Sequence, residues 1–151
     1  MNLLTTLAAC TGNWHGKNVL QDPHAGIADE SPSTATLTAL PDGSFRLEYT
    51  WSYNGKAQRG SLLVQLNGST VTAGWTDTWH TSNQPMACTG ANGPTLSVRG
   101  SYAAPPGPDW SWRIDLAPEG EQLHLVMWNI WPAEQGGKEE LAVDALYARS
   151  R

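Results

Sequence analysis

Apolar and polar residues alternate over many short stretches of the chain. Successive side chains of a strand point to opposite faces, so a period of two predicts strands with one buried face. Pairs such as Asn54-Gly55 and Asn67-Gly68 separate these stretches and tolerate the positive φ of tight hairpins. The pattern predicts ten strands, at 14–21, 33–40, 44–54, 58–66, 70–80, 86–90, 95–102, 109–116, 121–130 and 140–149.

The order of these strands favours an antiparallel meander with hairpin connections. A meander that closes on itself removes its exposed edges. We therefore expect an all-β, closed up-and-down barrel of about ten strands, formed by a single domain over residues 1–151. Residues 2–9 are predicted to form a short helix with Leu3, Leu4 and Leu7 on one side. The segments expected to be loops at the rim are 22–32, 81–85 and 131–139.

The apolar faces of the predicted strands are the expected lining of the barrel lumen. A barrel of this size can hold one small ligand. The lining is mostly aromatic, with few polar groups, which is typical of a site for a flat or hydrophobic small molecule. The predicted ligand-binding residues are Tyr49, Trp51, Tyr53, Trp75, Asp77, Trp79, Trp112, Met127 and Asn129.

A one-residue change of register would exchange the two faces of each strand. The lumen would then be polar and charged, as it is in fatty-acid-binding proteins. This alternative stays open at the level of sequence, and its inward residues would be Arg46, Glu48, Arg99, Arg113 and Asp115.

Asp77 is the one carboxylate on the predicted aromatic face. A buried acid of this kind can donate a hydrogen bond to a ligand when neutral or act as a general base when ionised. It can equally be a structural group that is satisfied by its neighbours. His80 follows three positions later, so a strand that continues to residue 80 places it on the opposite face and argues against an Asp–His pair.

Charge and composition exclude some classes of binding partner. The net charge is −5 and no basic patch is evident, so we expect neither nucleic acid nor an anionic membrane as a partner. The start lacks the charged segment of a signal peptide, and no apolar run is long enough to span a bilayer, so a cytoplasmic protein is expected. Cys10 and Cys88 are expected to be free and buried, with a disulfide left open.

Motifs for metal binding, nucleotide binding or nucleophilic catalysis are missing from the sequence. It contains no HxH, HExxH or Cys/His cluster, no glycine-rich phosphate loop and no GxSxG elbow. We therefore expect no metal and no cofactor. Ser31 and Ser33 lie in a Pro-bracketed segment and are assigned to turn formation.

Gly12-Asn13-Trp14, at the start of the first strand, resembles the Gly-x-Trp signature of the calycin superfamily. In those barrels a basic residue of the last strand packs over the Trp, and Arg149 is the matching residue here. More of the chain resembles a bacterial lipocalin-like family classed as a domain of unknown function. The resemblance implies a calycin-like barrel and no particular activity. Its stretches are residues 12–16, 42–49, 75–80, 109–114 and 127–129.

Two groups of calycins bind known ligands through residues that this chain does not share. Nitrobindin-like proteins bind haem through a His near the C-terminal end of the barrel, and this chain has no His after His124. Avidin-like proteins share Gly-x-Trp and tryptophans around biotin, but their polar ligand set has no match here.

Three functions follow from these patterns. The favoured one is binding of a small hydrophobic or aromatic molecule in the lumen. The second is an enzyme of the isomerase or cyclase type that uses Asp77 as acid or base. The third is a partner-binding β-domain or homodimer, with an exposed apolar patch at Trp128–Pro132.

Overall fold

A computed structural model describes residues 2–151, in which ten antiparallel strands close into a barrel. Each strand pairs with the next along the chain, and the last strand pairs with the first. The predicted up-and-down barrel with a short N-terminal helix is therefore confirmed. The elements are α1 (Leu3–Ala9), β1 (Gly12–Asp22), β2 (Ile27–Ala39), β3 (Phe45–Tyr53), β4 (Lys56–Asn67), β5 (Thr70–Asp77), β6 (Met86–Ala91), β7 (Leu96–Tyr102), β8 (Trp110–Glu119), β9 (Gln122–Ile130), a 3-10 turn (Ala133–Gln135) and β10 (Glu139–Arg149).

The prediction of a loop over 22–32 is wrong for most of that segment. The turn between β1 and β2 is short, because Oδ1 of Asp22 accepts hydrogen bonds from the amides of His24, at 3.0 Å, and Ala25, at 3.3 Å. Gly26 then adopts a φ of 68°. β2 consequently begins at Ile27 and pairs with β1 over its whole first half.

Ser31 and Ser33 are buried strand residues and do not form a turn. Regular pairing between β2 and β3 begins only at Ala35, and Pro32 has no N–H to donate. Side chains bridge the gap instead. Ser31 Oγ accepts from the Ser52 amide at 3.1 Å, and Ser33 Oγ donates to the Thr50 carbonyl at 2.6 Å.

The inward faces of the strands form one hydrophobic core inside the barrel. Tyr49 and Trp51 are buried, whereas Arg46, Glu48 and Arg99 on the alternate face are exposed. The structure thus supports the aromatic lining and excludes the charged-lumen register. Aliphatic side chains fill the half of the barrel nearest α1, among them Leu37, Leu47, Leu62, Val64, Leu96, Leu116, Leu123 and Leu125.

Helix α1 covers one end of the barrel. Its buried Leu3 and Leu7 join the core, and the Thr6 hydroxyl donates to the Pro94 carbonyl at 2.6 Å. Asn2 caps the helix by accepting from the Thr5 amide at 3.0 Å. This end is therefore closed by apolar burial and by hydrogen bonds to a neighbouring turn.

Arg149 stabilises the end of the barrel near α1 by packing over Trp14, as the resemblance implied. Its guanidinium lies 4.3 Å from the centroid of the Trp14 ring. It donates to the carbonyls of Thr11, at 2.8 Å, and Ala9, at 3.0 Å. The last strand thus holds the segment that joins α1 to β1 through a cation–π contact and two charge-assisted bonds.

Cys10 and Cys88 are free and buried, as expected. The predicted apolar patch at Trp128–Pro132 is not present, because Ile130 and Pro132 are buried and Arg113 lies over the Trp128 ring at 5.3 Å. Among residues 2–151, no helix has the length and apolar character needed to cross a membrane.

We predict that Arg149→Lys lowers the free energy of unfolding by about 1–2 kcal/mol, because lysine keeps the charge but cannot reach both carbonyls and the ring together. Urea unfolding measures this loss. Arg46→Lys, on an exposed position of β3, is the matched control and should change stability by less than about 0.5 kcal/mol. Equal effects of both changes would contradict the role given to Arg149.

Candidate functional site at the barrel mouth

Tyr49, Gly60 and Asp77 lie side by side on β3, β4 and β5, in register across the sheet. A Cβ atom on Gly60 would lie 2.1 Å from Cζ and from the hydroxyl of Tyr49. The missing side chain of Gly60 therefore leaves the space in which the Tyr49 ring crosses β4. The Tyr49 hydroxyl reaches Oδ2 of Asp77 and donates to it at 2.7 Å.

The Asp77 carboxylate is fully buried and accepts four hydrogen bonds. Oδ2 accepts from the Tyr49 hydroxyl and from Trp51 Nε1, at 3.2 Å. Oδ1 accepts from the backbone amides of Trp79 and His80, both at 2.8 Å. Every side of the carboxylate is occupied by the protein, so the structure does not bring Asp77 to any space that a ligand can fill.

The bonds to Oδ1 also end β5. Asp77 starts a turn over residues 78–83, in which its carbonyl accepts from the amides of Thr81, at 3.2 Å, and Asn83, at 3.0 Å. The prediction that β5 continues to residue 80 and turns His80 outward is therefore wrong. The turn carries the His80 ring back over the open end of the barrel.

Four tryptophans surround the His80 ring. Ring centroids are 5.4 Å apart for Trp51, 5.9 Å for Trp75, 4.8 Å for Trp79 and 5.2 Å for Trp112. Burial lowers the pKa of His80 to about 4, and the nearby charges of Asp77 and Asp22 only partly oppose this. The imidazole is therefore neutral near pH 7, with one nitrogen a donor and the other an acceptor.

Two buried ring nitrogens at this end have no hydrogen-bond partner among residues 2–151, namely His80 Nε2 and Trp112 Nε1. Trp112 is stacked on Trp75, with centroids 5.1 Å apart and planes 14° from parallel. Native proteins rarely leave such groups unpaired, since each costs about 1–3 kcal/mol. His80 Nε2 and Trp112 Nε1 are therefore the unmet polar groups at this end of the barrel.

These residues line two spaces at the mouth of the barrel. The larger is an open cleft of about 640 Å³ between the 81–87 segment, β7 and the stacked Trp75–Trp112 pair. The smaller is a cavity of about 70 Å³ under the β1–β2 turn. His80, Trp112, Asp22 and Asn129 line both, so the two spaces share one wall.

A groove of about 760 Å³ lies at the opposite end, between Trp14, Arg149 and the β8–β9 turn. Its guanidinium is already bound to two carbonyls, and its indole nitrogen donates to the Cys10 carbonyl at 2.9 Å. Within the described residues 2–151, this groove at the α1 end therefore has no buried polar side-chain atom that lacks a hydrogen-bond partner.

The structure brings only part of the predicted ligand set to the mouth. Trp75, Trp112 and Asn129 line the cleft, and Trp79 lines the smaller cavity. Tyr53 packs edge-on against Trp79. The remaining four predicted residues lie in the filled interior beneath, and they are Tyr49, Trp51, Asp77 and Met127.

Sequence reasoning missed His80, Asp22, Met86 and Tyr102 as mouth residues. Asp22 lies an even number of positions after Trp14 and Leu20 on β1, so alternation alone predicts that it shares their inward face. His80 had a different signal. Asp77 precedes a run rich in Thr, Ser and Asn, which is typical of an aspartate that ends a strand by accepting from the next amides.

Glu140 links the side chains of Trp131 and His24 at the rim beside the smaller cavity. Its Oε1 accepts from Trp131 Nε1 and lies 2.8 Å from His24 Nε2. Burial opposes ionisation of Glu140, but the bonds from Trp131 and His24 outweigh it and lower its pKa. Glu140 therefore remains a charged carboxylate whose side chain is only 9% exposed.

Among solved structures, Rv2717c from M. tuberculosis has a similar fold, with a TM-score of 0.68 and 13% sequence identity over 96% of this chain and 97% of that chain. At this identity the likeness shows the fold alone. No protein-family model matches the chain, and no curated protein matches it.

Gly60→Ala is predicted to lower the free energy of unfolding by about 2–4 kcal/mol, because the new methyl group displaces the Tyr49 ring and breaks its bond to Asp77. Urea unfolding measures the loss. Gly74→Ala on β5 is the control, since a Cβ there meets no atom within 4 Å. If the two variants unfold alike, Gly60 does not position Tyr49.

His80 should make stability depend on pH. Its folded pKa of about 4 lies below its ordinary value of 6.5, so its contribution is complete above pH 6.5 and is lost as the pH falls towards 4. His80→Phe removes this titration, and the variant should lose less stability than the wild type between pH 7 and pH 4.5. His15→Phe, at an exposed position, should keep the wild-type slope.

Proposed function

We propose that the protein binds a small, flat, largely apolar molecule at the mouth of the barrel. The observation that carries the proposal is the pair of unpartnered buried nitrogens, His80 Nε2 and Trp112 Nε1, on two side chains that line the cleft. A bound molecule with polar atoms at one edge would satisfy both.

The cleft has the chemistry of a small-molecule site. Its volume of about 640 Å³ is within the usual range for such sites. Trp75, Trp112 and Tyr102 supply aromatic surface, and Met86 adds a side chain that adapts to irregular shapes. An acceptor on the ligand can bind the indole N–H of Trp112, while His80 can donate or accept according to its tautomer.

The site is also built to keep its shape without a ligand. The stacked Trp75 is held by a bond from its Nε1 to the Tyr49 hydroxyl, at 2.9 Å, and that hydroxyl in turn binds Asp77. The same carboxylate fixes the amide of His80. Such preorganisation reduces the entropy lost on binding.

Titration calorimetry with 1-naphthalenemethanol tests the proposal, since this alcohol has a flat ring system and one hydroxyl. We expect saturable binding that Trp112→Phe weakens about three- to tenfold, because phenylalanine keeps the ring but lacks the N–H. Trp128→Phe is the matched control. It lies on the outer wall, where its Nε1 donates to Asp115, and should change affinity less than about twofold.

Two results would count against this function. One is equal weakening by the two tryptophan variants, which would place binding outside the mouth. The other is the absence of saturable binding by the alcohol and by its amine and carboxylate analogues.

A further inference from the structure

The acidic residues that line the barrel mouth are Asp22 and Glu140, and Glu140 is already bonded to His24. Asp22 lines both the cleft and the smaller cavity, and Glu140 lines the cavity. Among residues 2–151, neither wall contains a Lys or an Arg. Lys138 lies outside both walls, 5.8 Å from the centroid of the Trp131 ring.

Both carboxylates act on the side chains of the site. Burial is the main cause of the raised pKa of the Tyr102 phenol, and the charges of Asp22 and Glu140 add to it. The charge of Asp22 also acts on the His80 imidazole. Asp22 and Glu140 therefore lie close enough to act on Tyr102, and Asp22 lies close enough to act on His80.

A site lined by aromatic rings and carboxylates favours the binding of a positively charged group. The faces of Trp and Tyr attract cations, and the attraction grows when the cation is removed from water. Asp22 uses only Oδ1 for the amides of His24 and Ala25, so Oδ2 is free of these bonds. The neutral His80 ring does not repel a cation, and its acceptor nitrogen can receive an ammonium N–H.

We propose that the ligand of the mouth is an organic cation, with an ammonium group beside a flat aromatic body that also carries a hydrogen-bond acceptor for the indole N–H of Trp112. The ammonium group lies towards Asp22, and the aromatic body lies against Trp75, Trp112 and Tyr102. This inference rests on the function proposed above and adds the charge class of the ligand.

Three probes with the same ring system test the charge class by calorimetry at neutral pH. They are 1-naphthylmethylamine, which is protonated, 1-naphthalenemethanol, which is neutral, and 1-naphthoate, which is anionic. We expect the ammonium to bind about tenfold more tightly than the alcohol, and the carboxylate to bind more weakly than the alcohol.

Asp22→Asn shows where this preference comes from. Asparagine keeps an oxygen for the amides of His24 and Ala25, so the turn is retained while the charge is removed. The ratio of ammonium to alcohol affinity should fall to within about twofold of one. Glu30→Gln removes the same charge from the exposed wall, where Glu30 pairs with Lys17 at 3.0 Å, and should leave the ratio unchanged.

The outcomes separate the two proposals. Binding of all three probes with equal affinity, or tightest binding of the carboxylate, would overturn the cationic ligand while the mouth remains a binding site. A preference that survives Asp22→Asn would also overturn it, because the charge would then come from elsewhere. If none of the probes binds, both proposals fail.

Discussion

The buried carboxylate of Asp77 is the interaction on which the upper half of the barrel depends. A buried charge is costly unless all of its acceptor positions are filled. Here the partners come from two places, namely the side chains of Tyr49 and Trp51 on β3 and the backbone amides of the turn after β5. The carboxylate thus joins the wall of the barrel to the turn that lies across its mouth.

Gly60 makes this arrangement geometrically possible. It stands between Tyr49 and Asp77 in the sheet, and any larger residue would occupy the space of the tyrosine ring. The Tyr49 hydroxyl accepts from Trp75 as well as donating to Asp77. A chain of hydrogen bonds therefore runs from Asp77 through Tyr49 to Trp75, whose indole stacks on Trp112 at the cleft.

The two ends of the barrel differ because different groups close them. At the α1 end, apolar side chains fill the barrel and Arg149 donates to two backbone carbonyls. At the mouth, the turn after Asp77 inserts a neutral imidazole among tryptophans and leaves two nitrogens unpaired. Satisfied polar groups stabilise a structure, whereas unsatisfied ones at a cleft are the feature expected of a binding site.

Alternation along the sequence was sufficient to predict the barrel and its strand order, because burial of one face imposes a period of two on every strand. It favoured the aromatic face as the inward one but left the charged-lumen register open, and the folded barrel decided between them. It also identified Trp75, Trp112 and Asn129 as candidates for the site. β5 ends at Asp77 because the Asp77 side chain accepts hydrogen bonds from the turn that follows. The alternation of apolar and polar residues gives no sign of such bonds. The run of Thr, Ser and Asn after Asp77 is a local signal for this turn, but the contact of the His80 ring with four tryptophans followed from the tertiary structure alone. The same holds for the role of Asp77, since only the folded barrel brings Tyr49 and Trp51 to its carboxylate and removes it from the cleft.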